Sequence, residues 1–417
     1  MSEFNAKSVC ILGRQPALGL AELESLYGAE HVQPIDGAAL LDIDAPDINF
    51  KRLGGTIKVA RTLAALPSTG WVDIKKYLLD NVPGHLKLAA PGKFTLGLSF
   101  YGLEAPVADI NRLALGIKKA SGRSMRVVPN KTAALNSAQV LHNGLTSLGA
   151  WELLLIKHGQ QTLLAQTFFV QDIEAYGARD QARPKRDARV GMLPPKLAQI
   201  IINLAVGQIS RSQIVDSRLV RKAAKVTPPL STNYELRTTI LDPFCGTGVI
   251  LQEAMLMGYN VLGSDIDPRM VEYSKENLAW LVKQNPKIEV QASIDEADAT
   301  SAAWPGFSLV ASELYLGRPL NSLPGRAKLD EIIQDVNTIT RKFLKNLAGQ
   351  MKSSQRATLA LPAWKKPDGQ FIHLPLLDQL TDMGYNYLDL KHVPKSALLY
   401  YREDQVVARQ LIRLEKI

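Results

Sequence analysis

The chain has few cysteines and few aromatic residues, and it lacks any long hydrophobic run. Cys10 and Cys245 are its only cysteines, which excludes a disulfide framework and a four-cysteine zinc site and fits a reducing compartment. Aromatic residues make up 6%, so the core has to come chiefly from Leu, Ile, Val and Ala. No stretch reaches the roughly 18 consecutive apolar residues that a spanning helix needs. The opening MSEFNAKSVCILGRQ carries charge before a short apolar run that Gly13 and Arg14 end, unlike a signal peptide or an anchor. A cytoplasmic protein with no membrane contact is expected. No repeat of roughly 20–50 residues is visible, which argues against a solenoid or propeller. The six histidines show no paired spacing such as H-E-x-x-H, so no metal is expected.

What is present fits a folded protein. A length of 417 residues allows two or three domains, and 46% apolar with 21% charged residues excludes extended disorder. Lys and Arg number 49 against 40 Asp and Glu, a net +9 that permits a nucleic-acid partner without requiring one.

Periodicity divides the chain. In the front half, SVCIL and AALLDID read as strands around a helical LGLAELESLYG. VDIKKYLLDNV and VADINRLALGIKKASG then read as helices around the strand KFTLGLSFYG. SMRVV, a helical AALNSAQVLHNGLTSLG, and the strands WELLLIKHG and QTLLAQTFFVQ follow. This predicts two small α+β units in series, a ferredoxin-like one over residues 1–70 and a second over 71–172, and then a polar, basic linker over 173–190. From Thr238 the order becomes TTILD, helix, NVLGSD, helix, KIEVQA, FSLVAS and RATLALP, closed by LDLKHV and VVARQLIRLE. Strands alternating with helices predict an α/β, doubly wound and mostly parallel sheet over 191–417.

The run Asp242-Pro-Phe-Cys-Gly-Thr-Gly248 follows an apolar strand and precedes a helix. Gly246 and Gly248 permit a tight turn and close ligand approach, and the helix start offers unpaired N–H groups. Leu251 stands where a dinucleotide fingerprint has its third glycine, and there is no G-K-[ST] ending of a P-loop. Asp265 ends the next strand, 17 residues on, where a carboxylate can accept both ribose hydroxyl protons. Asp267 is a natural N-cap for a helix opening at Pro268, and Asp298 follows the third strand. One acid after each of three strands suits an adenosine ligand carrying an amino acid.

ILDPFCGTGVILQEA, GSDIDPRMVEYSKENLAWL and EADAT are similar to the S-adenosylmethionine motifs of the tRNA guanine-N2-methyltransferases that carry a THUMP RNA-binding domain. The resemblance extends to ARPKRDARVGMLPPKLAQIIINLA, the junction of the two halves in that family, and to LGRQPALGLAELESLYG, RVVPNKTAALNSAQVLHN and YYREDQVVARQLIRLEK. It implies a Rossmann-like methyltransferase domain behind a THUMP-like unit, with S-adenosylmethionine as cofactor and tRNA as substrate. Asp242, Phe244, Gly246, Thr247 and Gly248 would line the methionine and ribose end. Asp265 would hold the ribose hydroxyls and Asp298 the adenine amino group, with Asp267 also in the cofactor-binding set, and the helix Lys196–Leu204 would close the methionine side. Cys245 is only a small residue in a turn on this reading.

The family's D-P-P-Y motif after the fourth strand accepts the protons of a poorly nucleophilic amine and stacks on the base. Here FSLVA leads into Ser312-Glu313-Leu314-Tyr315, without the prolines and with Ser312 in place of the acid. Three readings stay open. Glu313 supplies the acceptor beside Tyr315, the site takes another nucleophile, or the domain binds without catalysis. The expected catalytic set is Glu313, Ser312 and Tyr315, acting by in-line displacement on the N2 amine of a guanine. A silent RNA-binding partner subunit and a DNA amino-methyltransferase are the alternatives, and an activating small protein partner stays open.

Three basic sets are candidate phosphate contacts. They are Lys118, Lys119, Arg123, Arg126 and Lys131; then Arg179, Arg183, Lys185, Arg186, Arg189 and Lys196; then Arg211, Arg218, Arg221, Lys222 and Lys225.

Overall fold

The computed structural model describes residues 4–89, 91–187, 193–208 and 238–417. Arg189 and the third basic set lie outside them. The chain divides into two compact units, one of Met1–Pro16, Ala29–Lys51 and Gly55–Ala175, the other of Ala17–Gly28, Arg52–Gly54 and Tyr176–Ile417. No helix among the described residues is long and apolar enough to cross a membrane.

The first unit's strands are β1 (Ser8–Leu12), β2 (Val32–Ile35), β3 (Ala38–Leu41), β4 (Thr56–Leu66), β5 (Phe94–Tyr101), β6 (Met125–Val127), β7 (Ala150–His158) and β8 (Gln161–Val170). They form one sheet of order β2-β3-β1-β4-β8-β7-β5-β6. The expected boundary near residue 70 is therefore corrected. β4 pairs antiparallel with β8 from Lys58↔Val170 to Leu66↔Thr162, so a long strand that would otherwise leave an open edge joins both halves. Helix α1 (Pro16–Tyr27) precedes β2; α2 (Trp71–Leu88) and α3 (Val107–Ser121) bury Ile74, Leu78, Leu86, Ile110, Leu113 and Ile117 against Leu96, Leu98, Phe100 and Leu153.

Beneath that core Lys58 is fully buried. Its ammonium donates to Glu152 and to the Leu135 carbonyl, while Ser99 and Thr167 donate to the same carboxylate at 2.6 Å each. Asn130 donates to the Leu98 and Thr132 carbonyls, so the turn 129–135 is fixed from below. The expected long helix after it is only α4 (Ser137–His142), started by an Asn136–Gln139 capping box.

Residues 173–181, expected as linker, form α5 (Ile173–Gln181), and α6 (Pro195–Val206) follows. The second unit then runs β9 (Thr239–Asp242), α7 (Val249–Leu256), β10 (Asn260–Asp265), α8 (Pro268–Gln284), β11 (Ala292–Glu296), β12 (Leu309–Glu313), α9 (Arg326–Ala348), β13 (Arg356–Lys365), β14 (Phe371–Ile372), β15 (Tyr385–Tyr387), β16 (Leu399–Tyr400) and β17 (Val407–Lys416). The sheet order is β11-β10-β9-β12-β13-β17-β15, with β9 to β13 parallel and β17 antiparallel between β13 and β15.

Two expected strands move. KIEVQA carries the return from α8, and pairing starts only at Val261↔Ala292, where Asn260 accepts the Gln291 N–H at 2.9 Å. LDLKHV forms no ladder beyond the Leu388 N–H, which donates to the Arg413 backbone carbonyl at 2.8 Å; side chains take up the groups that follow, Glu24 accepting the N–H groups of Lys391 and His392 and Arg413 donating to the Leu388 and Asp389 carbonyls. Glu24 belongs to α1, which joins this unit through a buried polar seam. Glu22 accepts from Gly54 N and Asn203 Nδ2, and Arg52 donates to Asn203 Oδ1 and to the Tyr259 hydroxyl.

Candidate active site

β9 lies between β10 and β12, so the connections that leave these strands diverge at their carboxyl ends and leave a crevice. A cavity of about 620 Å³ occupies that place, a size suited to a nucleoside-sized ligand. The β9–α7 turn, the ends of β10 and β12, residues 297–300, and Ile339 and Lys342 of α9 line it.

The turn 242–248 is shaped by glycine and by borrowed hydrogen bonds. Gly248 begins α7 at φ +82°, and a Cβ there would lie 2.9 Å from Ser274 Oγ. Ser274 donates to the Gly246 carbonyl and Asn277 to the Thr247 carbonyl, both at 2.8 Å. Asp265 accepts the Gly246 N–H at 2.9 Å through one oxygen and the Asp267 N–H at 3.0 Å through the other. Its remaining lone pairs can face the cavity. Burial raises its pKa, against the pull of those two N–H groups. Leu251 fills the space that a third fingerprint glycine would leave. Its room comes from Gly263 on β10, where a Cβ would stand 2.5 Å from Leu251 Cδ1.

Asp242 is buried, and desolvation pushes its pKa up to about 7 despite the hydrogen bond from Ser312 Oγ at 2.6 Å. Burial also pushes the Cys245 thiol up, which disfavours the reactive thiolate. Phe244 packs edge-on against Phe343 with centroids 5.1 Å apart. Asp267 caps α8 by accepting Arg269 N, and the Arg269 side chain lowers its pKa. Asp298 is exposed at the rim and accepts the Thr300 N–H, which lowers its own. Among the described residues no group of three or more His, Cys, Asp or Glu is placed to hold a metal ion.

At the end of β12 the expected trio separates. Ser312 is fully buried, does not line the cavity and points its hydroxyl at Asp242, which corrects its assignment to the base. Glu313 and Tyr315 do line it, Tyr315 with 40% of its surface exposed. Glu313 is paired with Arg409 of β17, a residue that sequence reasoning missed. Its signal in the sequence is an arginine inside a strand, between the apolar Val407 and Leu411. Helix α6 does not line the cavity either; Leu193, just before it, does, because α6 turns its apolar residues into the core.

The basic candidates also divide. Arg126, Lys131 and Arg186 are exposed. The Arg123 guanidinium instead donates to the Leu86 carbonyl at 2.6 Å and to that of Gly92, over the Phe94 ring. Arg183 is buried, 4.0 Å from Asp180, and Lys185 pairs with Glu276 at 3.2 Å. The Arg123 guanidinium is thus taken up by backbone carbonyls and that of Arg183 is buried, so neither is presented to a phosphate.

Sheet order, turn and cavity define a Rossmann-like, doubly wound fold. Within it, residues 230–303 match the family UPF0020, the RMKL-like methyltransferase domain. The chain is similar to the tRNA (guanine(10)-N2)-dimethyltransferase of Methanothermobacter thermautotrophicus, 39% identical over 24% of this chain and 22% of that one. It is also similar to that of Methanocaldococcus jannaschii, 30% identical over 28% and 27%. The match thus spans about a quarter of the length of these relatives. Among solved structures, TrmN from Thermus thermophilus aligns over 98% of this chain and 99% of that one, at 15% identity and TM-score 0.49.

Proposed function

We propose that the protein is an S-adenosylmethionine-dependent methyltransferase that acts on the exocyclic N2 amine of a guanine in tRNA. The observation that carries this is one cavity at the reversal of strand order, lined by Asp242, Asp265 and Asp298 together with Glu313 and Tyr315. The cofactor fits those residues. A Cβ is excluded at Gly248, Asp265 has lone pairs left for the ribose hydroxyls, Ile266 offers an exposed apolar face to the adenine, and buried Asp242 faces the cationic methionine end.

When bound, the cofactor supplies an electrophilic methyl group. The chain's own residues prepare the nucleophile. Glu313 accepts a proton of the amine, which restores electron density to its delocalised nitrogen, and the Tyr315 ring stacks on the base. Ser312 acts at one remove, by holding Asp242. Exposed Arg126 and Lys131 in the first unit, which we read as THUMP-like and RNA-binding, add salt-sensitive affinity that positions the RNA. A tRNA substrate puts the reaction in the cytoplasm.

Calorimetry with S-adenosylmethionine, followed by transfer to unmodified tRNA, tests this reading. Binding that Asp265→Ala abolishes, with transfer that Tyr315→Ala lowers, is the expected result. Cofactor binding without transfer to tRNA sinks the substrate assignment.

A further inference from the structure

We propose that Arg409 is a positioning residue that fixes the Glu313 carboxylate in the orientation needed to accept the amine proton; this rests on the functional reading of Glu313 given above. Glu313 ends β12 and pairs with Ala360 of β13, and Ala360 pairs with Leu411 of β17. Residues paired across a ladder share a face, and so do residues two apart, so Arg409 projects from the same face as Glu313 with β13 between them. The intervening residues on that face are Ala360 and Pro362, small enough for the guanidinium to reach across. Arg409 Nε donates to Glu313 Oε1. Tyr400, paired opposite Arg409, places its ring 6.0 Å from the guanidinium carbon. The cation is thus held between a ring and a carboxylate, and Glu313 Oε2 keeps its lone pairs for another partner.

Stability is a weak reason for such a pair. The two side chains are 8% and 14% exposed, and a buried ion pair can often be exchanged for apolar residues at no loss. A cavity-facing carboxylate on a three-torsion side chain, by contrast, gains directly from a fixed partner, because misplacing a reacting group by about 1 Å can cost on the order of a hundredfold in rate.

The test is a double-mutant cycle on methyl transfer to unmodified tRNA by the full chain. Arg409→Met is expected to lower kcat about a hundredfold, with the KM for tRNA and the calorimetric affinity for S-adenosylmethionine unchanged. Arg409→Lys recovers part of the loss. Glu313→Gln lowers kcat by a similar factor, and Arg409→Met adds nothing in the Glu313→Gln background. Should the methionine variant not fold, Arg409→Lys alone and combined with Glu313→Gln gives the same comparison. Losses that multiply, a fall in cofactor affinity matching the fall in kcat, or an unimpaired Arg409→Met overturn the proposal while wild-type transfer leaves the functional reading standing. A wild-type protein that transfers no methyl to tRNA overturns both.

Discussion

The hydroxyl of Ser312 donates to the buried carboxyl of Asp242 at 2.6 Å, joining the end of β12 to the end of β9 where the strand order reverses. The serine at the place of an expected catalytic acid therefore serves the acid of the first strand. Asp242 is left as the cavity's buried, near-neutral carboxyl, and Glu313 as the group beside the aromatic.

Asp242 makes stability and ligand affinity depend on pH. Its pKa rises from 3.8 to about 7 on folding, so the native state holds a proton that the unfolded chain has lost between those values. Its contribution to stability is full below about pH 4 and is lost as pH rises through 7, on the order of 4 kcal/mol in all. Asp242→Asn should flatten that part of the pH–stability curve of the ligand-free protein. A cationic ligand favours the ionised form, so S-adenosylmethionine should bind the wild type more tightly as pH rises from 6 to 8, with proton release in calorimetry, and Asp242→Asn should show neither effect.

Gly263 and Leu251 should be coupled. A methyl at Gly263 meets Leu251 Cδ1 at 2.5 Å, so Gly263→Ala is expected to cost about 1–3 kcal/mol in urea unfolding. Leu251→Ala in the same chain should cancel part of that cost, although alone it destabilises by leaving a cavity. Strict additivity of the two would contradict the packing described.

Much of the cofactor side was legible because its signals are local. The strand pattern NVLGSD, ending at Asp265, coincides with β10 to the residue, and glycines 246 and 248 mark a turn that only a short backbone stretch defines. What was not legible depends on distant pairings. Ser312 meets Asp242 across 70 residues and Arg409 meets Glu313 across 96, and sequence alone places a side chain at a strand end without saying what it faces. The same limit hid the β4–β8 ladder, which makes one sheet of two apparent units. Charge counting likewise could not tell the exposed Arg126 from Arg123, whose guanidinium closes the end of α2.

The buried Lys58–Glu152 pair should behave asymmetrically. Desolvation lowers the Lys58 pKa while Glu152 opposes that shift. Lys58→Met leaves a buried carboxylate uncompensated and is expected to destabilise by about 3–5 kcal/mol, read from thermal or urea unfolding. Lys58→Met combined with Glu152→Gln should be less harmful than the single change. Equal losses in the two variants would show that the carboxylate is not the source of the cost.

Arg126 and Lys131 should act on RNA, and Arg123 on the fold. Replacing Arg126 and Lys131 with Gln should weaken tRNA binding across sequences and reduce the salt dependence by about one per lost phosphate contact. Arg123→Gln should instead lower the melting temperature, because three carbonyls at the end of α2 and after it lose their donor. A filter-binding salt titration beside a melting curve separates the two.

The most direct measurement is nucleoside analysis of unmodified tRNA incubated with the purified protein and labelled S-adenosylmethionine. Label is expected in an N2-methylated guanosine, strongly reduced by Glu313→Gln and by Tyr315→Ala. Label in a different nucleoside, or none while the cofactor binds, would contradict that assignment.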